Sequence, residues 1–274
     1  MYTPVDVTEE EMNSLTQSIL SRYGIDFTCY EPKSLRRRIV RVLSVFNFSS
    51  IHELWVRLLH DANFIFSFMN EISVGMTSMF RDPVLWKNLK RRMMQDFGSS
   101  NSLSIWHAGC STGEEVYSMG ILLKEIQLDQ KTKAIATDIN QDAIATAKQG
   151  IYHKIKMIEN ENNYRQYNAF NDFSKYYTTH GKEAAMDSSL INHVSFSYHN
   201  LISDRTIGSY DMILCRNVMI YFDNTAKTKL LEKFHNALKP GGYFIVGFYD
   251  TMLPVINQNE FKMVDEEAKI FQKL

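Results

Sequence analysis

The strongest constraint on the fold is an alternation of strand-like and helix-like segments in the middle of the chain. The run LSIWHAG (103–109) is followed by GEEVYSMGILLKEIQ (113–127), then by KAIATDI (133–139) and NQDAIATAKQG (140–150). Short apolar runs separated by helical segments predict parallel strands with helices packed against them. We therefore expect an α/β protein with a mostly parallel sheet, whose ligands bind at the carboxyl ends of the strands.

The second half of the chain resumes this alternation after an interruption. HVSFSYHNL (193–201), SYDMILCRNVMIYF (209–222) and YFIVGFY (243–249) are strand-like, and NTAKTKLLEKFHNAL (224–238) is helix-like. The interruption contains FSKYYTTHGKEAAM (173–186), which predicts a hairpin turning near Gly181. We expect a short antiparallel β insertion at about 165–193, and an edge strand in AKIFQKL (268–274).

Residues 1–70 have the pattern of a small all-helical domain, which leaves residues 71–274 for the α/β domain. Thr8 and Glu11 form a plausible capping box at the start of the first helix, and Gly24 is a typical stop. A later helix, KSLRRRIVRVLSVF (33–46), places Lys33, Arg37 and Arg41 on one face. Such a basic face is either solvated surface or a docking face for an acidic partner.

The composition excludes several classes of protein. Of the 274 residues, 45% are hydrophobic and 22% charged, and the net charge of −1 predicts no nucleic-acid partner. Cys29, Cys110 and Cys215 are far apart and lack metal-binding or disulfide spacing. The opening MYTPVDVTEEE has no apolar signal core, and no apolar run reaches the roughly 18 residues of a membrane span. We expect a cytoplasmic monomer that binds no metal and does not insert into membranes.

The first strand ends in a loop that departs from the usual dinucleotide pattern. Gly109-x-Ser111-x-Gly113 lacks the second glycine of G-x-G-x-x-G, and Glu114 and Glu115 follow it. Two carboxylates would repel a pyrophosphate but suit a ligand with an amino group. The alternative is a tight turn followed by a helix whose early acids serve only its N-terminus.

The next strands end in residues that suit the same kind of ligand. Asp138 has the position of an acid that accepts hydrogen bonds from ribose hydroxyls, although it could equally cap the following helix. Arg216 and Asn217 interrupt an apolar run, which indicates the end of a buried strand, where the chain turns outward. The alternative for Arg216 is a structural ion pair.

Together, these motifs closely resemble one family. SVGMTSMFRDP (73–83), AGCSTGEEVYS (108–118), ATDIN (136–140), HNL (199–201), CRNVMIYFD (215–223) and LKPGGYFIVG (238–247) resemble, in this order, the CheR family of chemotaxis receptor glutamate methyltransferases. The resemblance spans essentially the whole chain. It implies a class I methyltransferase fold, which is Rossmann-like, and the cofactor S-adenosylmethionine with S-adenosylhomocysteine as product. The implied substrate is a glutamate side chain on the cytoplasmic helices of a chemoreceptor, which becomes a methyl ester.

The resemblance also implies roles for individual residues. The implied cofactor contacts are Thr77, Arg81, Gly109, Glu114, Glu115, Asp138, Asn200, Leu201, Arg216 and Asn217. Arg81 and Tyr221 are the candidates for holding the acceptor carboxylate during catalysis. The basic helix, with Arg36, Arg37, Arg38 and Arg41, resembles the family's face toward the acidic methylation region. The insertion resembles a small β-subdomain that, in some members, binds a tethering peptide at the receptor C-terminus.

The sequence departs from the family pattern at three places, and two alternative functions stay open. Gly75 stands where an asparagine is common, Asn140 replaces an acid, and GFYD (247–250) replaces GHSE. One alternative is a catalytically weak, cofactor-binding regulator tethered to receptors. The other is a methyltransferase for a different acceptor. His107 has no role that the sequence assigns.

Overall fold

A computed structural model describes residues 7–73, 77–252 and 255–274, and its first part is the predicted helical domain. Its helices are α1 (Glu9–Tyr23), α2 (Pro32–Val45), α3 (Ile51–His60) and α4 (Phe64–Ile72). The capping box between Thr8 and Glu11 is confirmed, and α1 ends at Gly24, whose φ of 69° suits glycine. Helix α4 was not predicted, and it extends the helical part slightly beyond residue 70.

The second part contains a seven-stranded sheet with the predicted alternation. Its helices are α5 (Pro83–Asp96), α6 (Glu114–Glu125), α7 (Gln141–Gln149), α8 (Lys154–Tyr167) and α9 (Asn224–Ala237). The strands of the chain are β1 (Leu103–Ala108), β2 (Thr132–Asp138), β3 (Ile151–His153), β4 (Tyr177–His180), β5 (Glu183–Met186), β6 (Val194–Tyr198), β7 (Tyr210–Cys215), β8 (Leu238–Val246), β9 (Phe261–Asp265) and β10 (Ile270–Lys273). The order in the large sheet is β6-β2-β1-β7-β8-β10-β9.

The large sheet is parallel from β6 to β8, which confirms the expected class of fold. Strand β10 pairs antiparallel with β8 on one side and with β9 on the other. The prediction that 268–274 would form the edge was therefore wrong, because β9 takes that position. Strand β9 has five residues, of which only Phe261 is buried, so its sequence lacks the apolar pattern of a core strand.

The insertion forms a separate three-stranded antiparallel sheet in the order β3-β5-β4. The hairpin at Gly181 joins β4 to β5 as expected. The small sheet begins at Ile151 rather than near residue 165, and α8 lies within the insertion. Helix α8 buries Met157, Tyr164 and Tyr167 against the main core, so the insertion is fixed to the α/β domain.

The two domains meet next to the carboxyl end of the sheet. Tyr30 forms an isolated antiparallel bridge with Phe222. The backbone N–H of Glu31 donates to the carbonyl of Tyr221 over 2.9 Å, and that of Asp223 donates to Cys29 over 3.0 Å. These bonds place the helical domain over the strand ends. Across the described parts of both domains, every helix is too short or too polar to cross a bilayer.

Candidate functional site

A cavity of about 600 Å³ lies between the carboxyl ends of the strands and the helical domain. The sequence-predicted residues that line it are Thr77, Arg81, Gly109, Glu115, Asp138, Asn200, Leu201, Arg216, Asn217 and Tyr221. The carboxyl ends of parallel strands are where α/β folds bind ligands. The structure thus brings residues from five separate sequence motifs to one place, while Glu114 is absent from the lining.

The loop after β1 approaches β2 closely and follows an unusual backbone path. Gly109 has φ of 84°, and a Cβ there would lie 2.5 Å from Val218 Cγ2. Ser111 also has a positive φ, of 49°, and its N–H donates to Asp138 Oδ2 over 2.8 Å. Non-glycine residues held in this region are strained and often occur at functional sites. The same hydrogen bond ties the β1 loop to the predicted ribose-binding carboxylate.

The two glutamates of the loop point in different directions. Glu115 faces the cavity, whereas Glu114 is fully buried and accepts hydrogen bonds from Thr112 Oγ1 and from Lys156 Nζ. Successive residues of a helix are turned by about 100°, so both side chains cannot face one ligand. The prediction that Glu114 binds the ligand is therefore corrected to a structural role, and Glu115 takes its place at the cavity.

Glu115 belongs to a hydrogen-bonded chain of polar and charged groups beside the pocket. Its Oε1 lies 2.9 Å from His107 Nδ1, and its Oε2 lies 3.1 Å from Arg216 Nη1. Arg216 Nη2 also donates to Asp82 Oδ2 over 2.8 Å. Burial opposes ionisation of Glu115, but the hydrogen bond from His107 and the charge of Arg216 outweigh it and hold the pKa of Glu115 below its usual range. Glu115 is therefore an anion at neutral pH.

Asp138 is held in place by the backbone around it. Its carboxylate accepts the N–H groups of Ser111 and Asn140, and burial nevertheless raises the pKa of Asp138 above 3.8. Helix α7 is capped by the side chain of Asn140, which accepts the N–H of Ala143 over 3.0 Å. Asn140 thus supplies the cap, and Asp138 keeps lone pairs for a ligand at the cavity.

The segment before α5 is fixed by a buried aromatic residue. Phe80 is fully buried, with φ of 51°, and stacks on Tyr167 with ring centroids 4.6 Å apart. Its N–H donates to Ser118 Oγ over 2.8 Å. This anchor holds the neighbouring Arg81 at the cavity. Gly75, the first departure from the family pattern, lies outside the described residues.

The GFYD departure contains a buried carboxylate that organises the loop after β7. Asp250 accepts three backbone N–H groups, from Asn217 at 2.6 Å, Gly247 at 2.7 Å and Ile220 at 3.0 Å. Burial raises the pKa of Asp250, against the effect of these bonds. Asp250 therefore fixes Asn217, whose φ is 57°, at the pocket. Phe248 and Tyr249 beside it are exposed, and Tyr249 also lines the cavity.

The arginines of α2 do not share one face. Arg36, Arg37 and Arg41 are exposed, but Arg38 is only 5% exposed and lines the cavity. Its guanidinium lies 3.8 Å from the centre of the Tyr221 ring, and Nη1 donates to the carbonyl of Ile72 over 2.6 Å. The prediction for Arg38 is corrected from an exposed docking residue to a pocket residue. Its distance of three residues from buried Leu35 was the signal that it lies near the apolar face.

Tyr30, which lines the cavity, and Asp250, which holds the backbone of Asn217, were not predicted as site residues. Tyr30 lies in a turn between α1 and α2 that has no motif of its own. Burial raises the pKa of the Cys110 and Cys215 thiols well above the usual value, which disfavours the nucleophilic thiolate. Among the residues that the structure describes, no cluster of metal-ligating side chains occurs.

The lining of the cavity fits S-adenosylmethionine. Its volume lies in the usual range of ligand pockets, about 300–1,000 Å³. Glu115 offers an anion to the amino group, and Asp138 offers acceptors to hydroxyls at the end of β2. In the described part of the chain, Arg216 Nε and Asn217 Nδ2 are buried donors without a partner, which a ligand with acceptor atoms would satisfy.

Comparisons with known proteins agree with this geometry. The family model for the CheR methyltransferase all-alpha domain matches residues 10–73, and that for the CheR methyltransferase SAM binding domain matches residues 75–270. Cher3 of Pseudomonas putida is 35% identical over 266 residues, which are 97% of each chain. Chemotaxis protein methyltransferase 2 of Pseudomonas aeruginosa is 30% identical over 248 residues, covering 88% of this chain and 86% of that one.

A third relative, the chemotaxis protein methyltransferase of Listeria innocua, is 26% identical over 249 residues and covers 89% of this chain and 91% of its own. The family models together extend over nearly the whole chain, including both domains. The pocket, the fold and these matches lead to one conclusion: the chain belongs to the CheR methyltransferase family and is an S-adenosylmethionine-dependent methyltransferase.

Proposed function

We propose that this protein methylates glutamate side-chain carboxylates on the cytoplasmic helices of a chemoreceptor, in the cytoplasm, and so forms glutamate methyl esters for chemosensory adaptation. The relatives named as chemotaxis protein methyltransferases support the chemosensory setting. The observation that carries the choice of acceptor is Arg38, a buried cation on the side of the pocket opposite the strand ends.

Arg38 has the properties of a receptor for an incoming carboxylate. Its Nε and Nη2 are buried and, within the described residues, have no hydrogen-bond partner. Burial lowers the pKa of Arg38, which reflects the cost of keeping this cation away from water. A carboxylate that accepts from these two nitrogens would offset that cost, and the fork of Arg suits a carboxylate better than a neutral acceptor.

The reaction requires no general base. A glutamate side chain has an ordinary pKa of about 4.3, so it enters as an anion and is already a nucleophile. Bound S-adenosylmethionine supplies the electrophilic methyl group. Glu115 and Asp138 hold the cofactor side, while Arg38, supported by the ring of Tyr221, orients the acceptor. Alignment of two reactants can contribute about 7–11 kcal/mol at best.

The exposed arginines of α2 suit the approach of an acidic helix. Arg37 and Arg41 lie on the solvent side of the helix whose buried side carries Arg38. Electrostatic attraction of this kind mainly increases the rate of encounter. The antiparallel sheet of β3, β5 and β4 is the proposed site for a tethering peptide, and a monomer remains the expected state.

A transfer assay tests the proposal directly. The full-length protein is incubated with methyl-labelled S-adenosylmethionine and a receptor cytoplasmic fragment, with a matched fragment whose methylation-region glutamates are changed to glutamine. We expect label on the first fragment that is released by mild base, as from an ester, and none on the second. Cofactor binding without transfer to any receptor fragment would instead favour the tethered regulator.

A further inference from the structure

His107 is a fully buried histidine that sits directly behind the cofactor-facing glutamate. It lies in β1 with no exposed surface, and its Nδ1 is 2.9 Å from Glu115 Oε1. Its other ring nitrogen, Nε2, is buried and has no partner among the described residues. The side chain therefore makes one polar contact, and that contact is with a pocket residue.

The direction of this hydrogen bond follows from the partner. Glu115 is ionised and can only accept, so the proton between the two groups lies on Nδ1. A second proton on Nε2 would leave a buried, charged donor without an acceptor, which is costly. The neutral ring with its proton on Nδ1 is the form that satisfies the geometry.

His107 and Arg216 hold the two oxygens of Glu115 separately. Arg216 Nη1 takes Oε2 at 3.1 Å, and His107 takes Oε1 at 2.9 Å from another strand. With both contacts the carboxylate plane is fixed. Without His107, Glu115 is free to turn both oxygens toward the guanidinium of Arg216, because Arg binds carboxylates most strongly in a two-pronged geometry.

We propose that His107 is a positioning residue for cofactor recognition: its Nδ1–H fixes the carboxylate of Glu115 so that Glu115 receives the amino group of the methionine part of the cofactor. This inference rests on the assignment of Glu115 to that amino group. It concerns the amino-acid end of the cofactor alone, since the His107 side chain bonds to Glu115, whereas the carboxylate of Asp138 is held by the N–H groups of Ser111 and Asn140.

Two ligands separate this role from a general effect on the pocket. S-adenosylhomocysteine contains the amino group, whereas 5′-methylthioadenosine has the same nucleoside and sulfur without it. We expect His107→Leu, which fills a similar volume without a donor, to weaken S-adenosylhomocysteine about 10-fold, the size of one hydrogen bond to a charged group. The affinity for methylthioadenosine should stay within about twofold of the wild type. Both are measured by calorimetry.

Two further variants complete the experiment. His107→Asn keeps an N–H donor near the position of Nδ1 and should recover most of the lost affinity for S-adenosylhomocysteine. His235→Leu makes the same change at a half-buried histidine of α9 that does not line the pocket, so it should change neither affinity. Thermal unfolding of each variant shows that it is folded.

Equal weakening of both ligands in His107→Leu would overturn the proposal, as would equal losses in His107→Leu and His107→Asn. If the affinities behave as expected but no receptor fragment is methylated, the positioning role stands and the proposed substrate fails. The test is therefore independent of the identity of the methyl acceptor.

Discussion

On the strand side of the pocket, the carboxylates of Glu115 and Asp138 are already hydrogen-bonded to the protein before any ligand arrives. On the helical side, the guanidinium of Arg38 is also removed from water, yet two of its nitrogens lack hydrogen-bond partners among the described residues. The strand side is built from the ends of β1, β2 and β7, and the helical side from α2 and the turn before it.

This difference indicates which ligand binds to each side of the pocket. The charged side chains on the strand side are already held in place by hydrogen bonds. They therefore need little rearrangement to bind a ligand of fixed shape, such as a cofactor. A desolvated cation whose partners are only a carbonyl and an aromatic ring is costly until an anion reaches it. The helical side is therefore incomplete in a way that a carboxylate substrate would complete.

The largest expected effect separates the two sides at Arg38. Arg38→Met keeps the apolar stem but removes the charge, so the rate of methyl transfer should fall about 100-fold or more, as when one charge-stabilising donor is lost. The affinity for S-adenosylhomocysteine should remain within about threefold. Arg57→Met, a change at an exposed arginine of the same domain, serves as the control. A fall in cofactor affinity as large as that in rate would place Arg38 on the cofactor side.

On the strand side, a change at Asp138 should instead reduce the affinity for the cofactor. Asp138→Ala should weaken S-adenosylhomocysteine about 10- to 100-fold, because hydrogen bonds to a charged group contribute about 1.5–3 kcal/mol. Calorimetry measures this, and Asp172→Ala, a change at an exposed aspartate that does not line the cavity, is the matched control. Unchanged binding in the Asp138 variant would remove this carboxylate from the site.

The loss of cofactor affinity at low pH should follow the protonation of Asp138 rather than that of Glu115. Burial raises the pKa of Asp138 above 3.8, and hydrogen bonds from ligand hydroxyls favour its ionised form. Binding therefore strengthens as pH rises through the raised pKa and weakens as pH falls toward it. The pKa of Glu115 is lowered below 4.5, so Glu115 stays ionised to lower pH.

Titrations across this range should show a decline in affinity for S-adenosylhomocysteine beginning above the ordinary pKa of aspartate. Asp138→Asn should flatten the decline, since the group that titrates is gone. If the affinity declines identically with falling pH in the wild type and in Asp138→Asn, the titrating group is not Asp138.

The smallest expected effect concerns the outer face of the helical side. Reversal of charge at both Arg37 and Arg41 should raise KM for a receptor fragment several-fold at low salt, because exposed ion pairs contribute about 0.2–1 kcal/mol each. Added salt should reduce the difference between variant and wild type. Lys131→Glu, a reversal at an exposed residue of the α/β domain, is the control. If receptor methylation is unchanged, the basic face of α2 is solvated surface and not a docking face.

The sequence predicted those features that depend on neighbours along the chain. The alternation from 103 to 150 predicted the parallel sheet, and the capping box at Thr8 marked a helix start that the structure has. The motifs at strand ends could be assigned to one pocket because parallel strands end on the same edge of a sheet. Helix α8 and strands β9 and β3 were not predicted, since their patterns are short or lack a clear apolar period.

What the sequence determined by itself is thus the class of fold, the edge of the sheet that binds ligands and the set of motifs that meet there. Only the tertiary structure decided that Glu115 rather than Glu114 enters the pocket, that Arg38 turns inward among exposed arginines, and that His107 stands behind Glu115. The physical reason is direction: a helical pattern fixes the angle between neighbouring side chains, but packing against the rest of the molecule fixes which of them points at the site.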